Sequence, residues 1–190
     1  KMKSLKDAIE QKGLIISDEV LKVDSFLNHQ IDCPLVMEMA DEFYEHFKDK
    51  KITKIVTIES SGVAPSFATA CRFGVPMVFI KKAQPSTMQD PVSCQVFSFT
   101  KNKYYPICME RQYLSEEDNV LFIDDFLANG EAFKAAENLI KECGANISGV
   151  GIVIEKAFQK GHKYIVDAGY DFCALASIAS IKDKKITWAE

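Results

Sequence analysis

Two adjacent carboxylates, Asp124 and Asp125, interrupt the stretch Val120-Leu121-Phe122-Ile123-Asp124-Asp125-Phe126-Leu127-Ala128-Asn129-Gly130-Glu131-Ala132. Its first four residues read as a buried strand that delivers both acids to the edge of a sheet. Its last residues read as a small-residue turn that opens a helix. The first amides of a helix lack intrahelical acceptors and stand at the positive end of the helix dipole, so such a turn can hold an anion. Gly130 would let the main chain approach a phosphate without a Cβ in the way. One segment thus offers a phosphate cradle and two acids able to hold hydroxyls. Each half also has an ordinary explanation, because an acid after a strand is often a turn or cap residue and Asn-Gly is a common turn. Strand, acids, turn and helix in that order make the combination much more specific.

The flanking segments must position this loop. Residues 3–12, with Leu5, Ala8 and Ile9 on one face, read as a short helix ended by Gly13. Residues 14–30 lack a helical period and are expected to be extended or looped. Leu35, Val36, Met39, Ala40, Phe43 and Phe47 recur at three- and four-residue spacing, which predicts a helix from Pro34 to Lys50 capped by Asp32. Residues 54–58 read as a strand, 59–62 as a polar turn, 64–73 as a helix stopped by Gly74, and 76–80 as a second strand. That order is a βαβ unit, with parallel strands and a right-handed connection. A polar stretch at 81–91 follows, then an antiparallel pair at 92–99 and 104–109 with its turn at 100–103. The strand at 119–123 is expected to break at the two acids, before a helix over 130–143 and strands at 147–154 and 173–178. Strands alternating with helices predict an α/β fold, an open, mostly parallel sheet flanked by helices. Such sheets bind ligands at the carboxyl ends of their strands, which places candidate loops at 59–62, 81–91, 124–132 and 155–161.

Composition excludes several classes. The chain has 190 residues, 47% of them hydrophobic and 26% charged, enough apolar content for one domain with a real core. Its net charge of −4, with dispersed basic residues, argues against a nucleic-acid binder. The closest cysteines in sequence, Cys94 and Cys108, are too far apart for a zinc knuckle, and His29, His46 and His162 are scattered. A metal held by side chains alone is therefore not expected, and free thiols in a reducing compartment are. No run approaches the ~18–20 apolar residues of a membrane span. No apolar core of a signal peptide follows Lys1-Met2-Lys3-Ser4-Leu5-Lys6-Asp7, so the expected location is cytoplasmic.

The stretch from Val120 to Ala132 resembles the phosphoribosyl-diphosphate motif of type I phosphoribosyltransferases: four apolar residues, two acids, two apolar residues, then a small-residue loop. The resemblance extends over nearly the whole chain. Residues 21–30, the turn Ile58-Glu59-Ser60-Ser61-Gly62 and Ile154-Glu155-Lys156 are similar to the subfamily that acts on xanthine. It implies a single domain with a small N-terminal hood over about 1–33 and a core over about 34–180, working as a homodimer in purine salvage. It implies that residues 128–132 hold the 5′-phosphate of phosphoribosyl diphosphate, and that Ser60 and Ser61 lie in the diphosphate loop. Lys81 or Lys82 would reach the diphosphate in a partner's site. Leu21, Asn28 and Lys156 would contact xanthine, with Phe126 and Leu127 sandwiching it. Asp124 and Asp125 would accept hydrogen bonds from the ribose 2′- and 3′-hydroxyls, the second acid also lying near the base. Mg²⁺ would arrive on the diphosphate, since it favours phosphate oxygens and water.

Three residues depart from the family pattern: Glu131 puts an acid in the phosphate loop, Ala132 lacks the hydroxyl many relatives carry, and Lys81 stands where relatives often have Arg. The acid is tolerable if its side chain points to solvent while its N–H binds. By themselves Lys156 reads as a surface lysine after a strand, Asn28 as a loop cap, Phe126 as core and Trp188 as packing. The 81–91 stretch is either a lid or a long polar loop. Three other readings stay open: a relative acting on guanine/hypoxanthine, adenine or orotate, a non-catalytic regulator that senses phosphoribosyl diphosphate, and a generic α/β binding module with a fortuitous loop.

Overall fold

The computed structural model describes residues 1–190. Helix α1 (Lys3–Lys12) buries Leu5, Ala8 and Ile9, the face its spacing predicts. A two-residue antiparallel hairpin follows, β1 (Leu14–Ile15) with β2 (Leu21–Lys22), and then a wide helical turn over Asp24–Asn28. These elements are too short to show a period, which is why the sequence predicts only irregular chain here. Helix α2 (Cys33–Phe47) begins where Leu35 N donates to the Asp32 carboxylate at 3.1 Å, with Pro34 in its first turn. It ends at Phe47, and residues 48–50 tighten into a 3₁₀ turn instead of a further α turn.

Strand β3 (Lys54–Ile58), helix α3 (Val63–Phe73) and strand β4 (Met77–Ile80) form the expected unit with parallel strands. Gly74 ends α3 at φ +67°, a left-handed conformation that suits glycine. Strands β5 (Pro91–Ser98) and β6 (Lys103–Glu110) make the antiparallel pair. Strand β7 (Asn119–Leu127), helix α4 (Glu131–Glu142), strand β8 (Asn146–Lys156), helix α5 (Lys160–Asp167), strand β9 (Phe172–Lys182) and strand β10 (Lys185–Trp188) complete the chain. The main sheet runs β10-β9-β8-β7-β3-β4, parallel throughout except for β10 at one edge. Helices cover both faces, so the fold is the α/β sheet expected. One core packs α1 and α2 against Leu121, Ile123 and Leu175. The other packs α4 and the β5–β6 pair against Val56, Phe122 and Ile152.

Three features differ from the sequence-based expectation. Strand β7 does not break at the acids: Asp124 pairs with Ile152, Phe126 with Ile154 and Leu127 with Glu155. The long neighbour β8 supplies ladder partners that outweigh the poor strand propensity of Asp. Helix α5 is short and opens on Lys160-Gly161, too few turns for a visible period. The end of the chain folds back as β10 through Asp183 and Lys184, both with positive φ (50° and 58°), which matches a primed hairpin turn without its usual Gly signal. Trp188 is a packing residue there, its indole N–H donating to Glu10 at 2.8 Å.

Candidate active site

At the carboxyl edge of the sheet, β7 and the start of α4 line a cleft of about 460 Å³. Asp124, Phe126, Ala128, Asn129, Gly130, Glu131 and Ala132 border it, with Lys156 from the end of β8. A smaller hollow of about 200 Å³ adjoins it, bordered by Ser60, Ser61, Lys82, Asp124, Asp125 and Ala132. Asp124 and Ala132 belong to both, so the two spaces meet there. The loop at 124–132, the turn at 59–62 and Lys156 therefore converge, as the rule for open α/β sheets requires.

Asp124 is half-buried, with its open edge toward the cleft. Burial first, and then the charge of Asp125, push its carboxyl well above the ordinary carboxylate range. The Asp125 N–H, which donates to Asp124 Oδ1 at 2.9 Å, and the charge of Lys82 pull it the other way. The second acid does not border the Lys156 side. Asp124 does, because successive strand residues point to opposite faces. The same alternation separates Phe126 and Leu127: Phe126 packs toward the α1–α2 core and Leu127 toward the α4 core. They face away from each other and cannot sandwich a planar ring, although both edge the cleft.

The loop at 128–132 is tied to the start of α5. Gly130 has φ +88°, which favours glycine, and a Cβ there would stand 3.1 Å from Gly161 Cα. Its missing side chain admits the backbone of α5. Gly161 N–H donates to Ala128 O at 2.9 Å across the same junction. No side chain caps the first amides of α4, which leaves them available to an anion. The Glu131 carboxylate turns to Lys134 Nζ at 3.4 Å, so it is drawn along the helix and partly neutralised.

The turn at 59–62 is tied to the strand beyond it: Lys82 N–H donates to Glu59 Oε1 at 2.7 Å, and Glu59 N–H to Ile80 O at 3.0 Å. Lys82 borders the hollow with the two acids. Lys81 does not; its ammonium lies 4.6 Å from the Phe79 ring and its main chain bridges to Cys108. Lys156 is half-buried, and its ammonium donates to Glu19 O at the tip of the β1–β2 hairpin and lies 5.6 Å from the Phe126 ring. Burial lowers its pKa from the ordinary 10.5.

Leu21, in the second strand of that hairpin, is buried, and it is Glu19 and Val20 that reach the cleft. Asn28 lines a separate, mostly apolar cavity of about 550 Å³ with Val36, Ser60, Ser61 and Phe67, and its Oδ1 is buried without a partner. The structure thus brings Lys156 and Phe126 into one cleft but leaves Leu21 and Asn28 outside it. The 81–91 stretch does not cover the cleft. Its end is pinned by Glu110, which accepts from Asp90 N–H at 2.6 Å, and the β5–β6 pair roofs the cleft with Val96, Phe97, Phe99 and Tyr105. Sequence reasoning missed these residues, since a hairpin's hydrophobic pattern does not say which sheet edge it overhangs. It also missed Gln159, which borders the cleft and holds a buried Oε1 without a partner.

The described residues contain no cluster of three or more His, Cys, Asp or Glu side chains that could hold a metal ion. All six cysteines are free thiols. No helix is long and apolar enough to cross a membrane.

A mostly parallel sheet whose edge carries an acid pair, an uncapped helix start and a nearby lysine has the parts to hold a sugar phosphate. Residues 22–183 match the phosphoribosyl transferase domain, and the chain belongs to that family. It is similar to the xanthine phosphoribosyltransferase of Staphylococcus aureus (strain JH9), 46% identical over 187 residues that cover 98% of this chain and 97% of that one. Among solved structures it is similar to adenine phosphoribosyltransferase from Thermoanaerobacter pseudethanolicus, with TM-score 0.77 and 18% identity over 93% of this chain and 99% of that one. At that identity the likeness shows the fold. A further similar structure is the Giardia lamblia enzyme complexed with 9-deazaadenine, with TM-score 0.76 and 25% identity over 91% and 97% of the two chains.

Proposed function

We propose that this chain transfers the phosphoribosyl group of phosphoribosyl diphosphate to xanthine, giving xanthosine 5′-monophosphate and diphosphate in purine salvage. The observation that carries the reading is the meeting of Asp124, the uncapped start of α4 and the Lys156 ammonium in one cleft, in a chain close to a xanthine enzyme over nearly its full length. The Ala128, Asn129, Gly130, Glu131 and Ala132 main chain takes the 5′-phosphate. Asp124 and Asp125 accept from the ribose hydroxyls. Ser60, Ser61 and the 59–62 amides hold the diphosphate in the adjoining hollow, with Lys82 of the same chain beside it.

The substrate is the Mg²⁺ complex of phosphoribosyl diphosphate. The acids flanking the hollow are too few to bind a metal alone but fit an ion that keeps phosphate oxygens and water as its main ligands. As the bond from the anomeric carbon to diphosphate breaks, positive charge grows on the sugar ring and negative charge on the leaving group. The fixed amides and Lys82 are placed to stabilise the second, and both substrates are held in line. Asp124, which borders both spaces, stands between ring and base and can handle a purine proton. The β5–β6 pair excludes water.

Lys156 reads the base: xanthine carries a second exocyclic oxygen and is more acidic than hypoxanthine or guanine, so an ammonium favours it. Phe126 supplies an apolar wall beside it. The segment over about 1–33 serves as a hood, with Val20 and the Lys156–Glu19 contact closing the base side, and with Leu21 and Asn28 shaping it from behind. The working unit is a homodimer in the cytoplasm. Lys81 faces away from its own cleft beside Phe79, which is 39% exposed although apolar, and near a second copy it would reach that copy's diphosphate. Free thiols suit a reducing compartment.

The test is steady-state release of diphosphate with Mg²⁺, phosphoribosyl diphosphate and each of xanthine, guanine, hypoxanthine and adenine. Xanthine is expected to have the highest kcat/KM. A higher value for another base would reassign the substrate, and phosphoribosyl-diphosphate binding without turnover of any base would favour a sensor.

A further inference from the structure

Glu155 is the most buried carboxylate of the chain, 4% exposed, and the chemistry above does not use it. It stands one residue before Lys156 at the end of β8, in register with Leu127 on one side and Ser177 on the other. Its Oε2 meets His162 Nδ1 at 2.7 Å, and its Oε1 accepts from the Ser177 hydroxyl. A buried charge is tolerated only with such partners. His162 lies in the first turn of α5, with its ring edge-on to Phe172 at 5.2 Å. The residue before it, Gly161, is the one that abuts the phosphate loop. Its N–H donates to Ala128 O at 2.9 Å, and its Cα closes against Gly130. The space is tight, since a Cβ on Gly161 would stand 2.6 Å from Ala128 O. A single turn therefore links Glu155 to the backbone that would hold the 5′-phosphate.

We infer that the Glu155–His162 pair is a positioning device for the phosphate subsite: it seats the start of α5 so that Gly161 holds the Ala128 carbonyl and aims the loop amides. The inference rests on the reading of residues 128–132 as the phosphate loop. The pair touches no substrate. Loss of the His162 contact leaves a buried carboxylate seeking another donor and frees the first turn of α5, so the loop no longer keeps its shape in the absence of ligand. The effect falls on binding of phosphoribosyl diphosphate and leaves the base subsite alone, because Lys156 points to the other face of β8 and is held by Glu19.

The experiment compares wild type, His162→Ala, His162→Asn and Tyr164→Phe by calorimetric binding of Mg²⁺–phosphoribosyl diphosphate and by steady-state kinetics. Tyr164 is on the same helix but its hydroxyl donates to Glu137 in the second turn of α4, so its variant loosens the α4–α5 packing without touching Gly161 or the Glu155–His162 pair. His162→Ala is expected to raise both Kd and KM for phosphoribosyl diphosphate about tenfold, about 1.4 kcal/mol by the usual conversion, with kcat and the KM for xanthine within twofold. His162→Asn, whose amide can donate near the Nδ1 position, is expected to restore Kd to within about threefold of wild type. Tyr164→Phe should lower Tm and leave Kd unchanged. Unchanged binding in His162→Ala, no rescue by His162→Asn, or an equal loss of binding in Tyr164→Phe would overturn the inference. The calorimetry needs no base, so a wrong base assignment leaves it readable, and wild type that does not bind phosphoribosyl diphosphate would instead refute the phosphate-loop reading.

Discussion

Gly62 lies so close to Asp124 that a Cβ on residue 62 would stand 2.9 Å from Asp124 Oδ1 and 2.2 Å from Thr57 Oγ1. The turn after β3 and the acid edge of β7 therefore interlock through a missing side chain, and Thr57, fully buried, cannot move aside. The 59–62 turn and the acid edge of β7 keep their spacing by this contact.

Gly62→Ala must accordingly displace the 59–62 turn from Asp124. Overpacking of this kind costs roughly 1–3 kcal/mol of stability, and a displacement of about 1 Å in a reacting site can cost on the order of 100-fold in rate. We expect kcat/KM to fall about 10- to 100-fold, measured beside a denaturant titration. Full activity would show that the turn takes no part in catalysis.

Asp124→Asn should separate stability from function. Burial and Asp125 raise the Asp124 carboxyl well above its ordinary value of 3.8, so between pH 3.8 and the raised value the folded state holds a proton that the unfolded chain has released. Stability from this group is fully present below pH 3.8 and is lost as pH rises through the raised folded value. The Asn variant carries no such loss. It is expected to melt higher than wild type at neutral pH, with a flatter pH dependence, while kcat/KM drops about 100-fold or more, the scale of a lost acid–base or ring-holding group. A lower Tm together with full turnover would contradict both parts.

Lys156→Gln should act on base choice. A hydrogen bond from a charged donor contributes about 1.5–3 kcal/mol, so the KM for xanthine should rise about 10- to 100-fold while that for hypoxanthine changes little. Burial depresses the lysine below 10.5, so the wild-type preference for xanthine should decline with rising pH before a free lysine would titrate. Parallel losses for all bases would point to a structural role for the Lys156–Glu19 contact.

Tyr164→Phe tests a network between α4 and the end of the chain's last helix that does not itself line the cleft. Tyr164 and Tyr170 both donate to the buried carboxylate of Glu137. The Glu137 hydrogen bond, then burial, push the Tyr164 phenol from 10.0 up to about 12. Its contribution to stability is complete below pH 10 and is lost as pH rises through about 12. The variant should lose about 1–3 kcal/mol at neutral pH and show a shallower decline between pH 10 and 12, followed by chemical denaturation. An unchanged profile would mean that the phenol and Glu137 are not coupled.

Much of the architecture was legible because it is local. The three- and four-residue spacing of Leu35, Val36, Met39, Ala40, Phe43 and Phe47, the cap at Asp32 and the stop at Gly74 are each written within a few residues and decided by backbone chemistry. The acid pair followed by a small-residue turn belongs to the same class, so the turn and the helix start after it could be read without a fold. Helix α5 and the return strand β10 were illegible for the complementary reason: a short helix opening on Gly161 and a hairpin turn made by Asp183 and Lys184 carry no local signal strong enough to stand alone.

What the chain determined by itself is the strand, the acids and the open helix start, because hydrogen-bond need and side-chain period act between near neighbours. What only the tertiary structure decided is the partner of each: Gly62 against Asp124, Gly161 under Gly130, and Lys156 on Glu19, 137 residues away. The first two pairings follow from the order β8-β7-β3 of the central strands, and the third from where the β1–β2 hairpin packs against the end of β8. Strand order is a property of how two apolar faces are buried together, and no short stretch of residues encodes it.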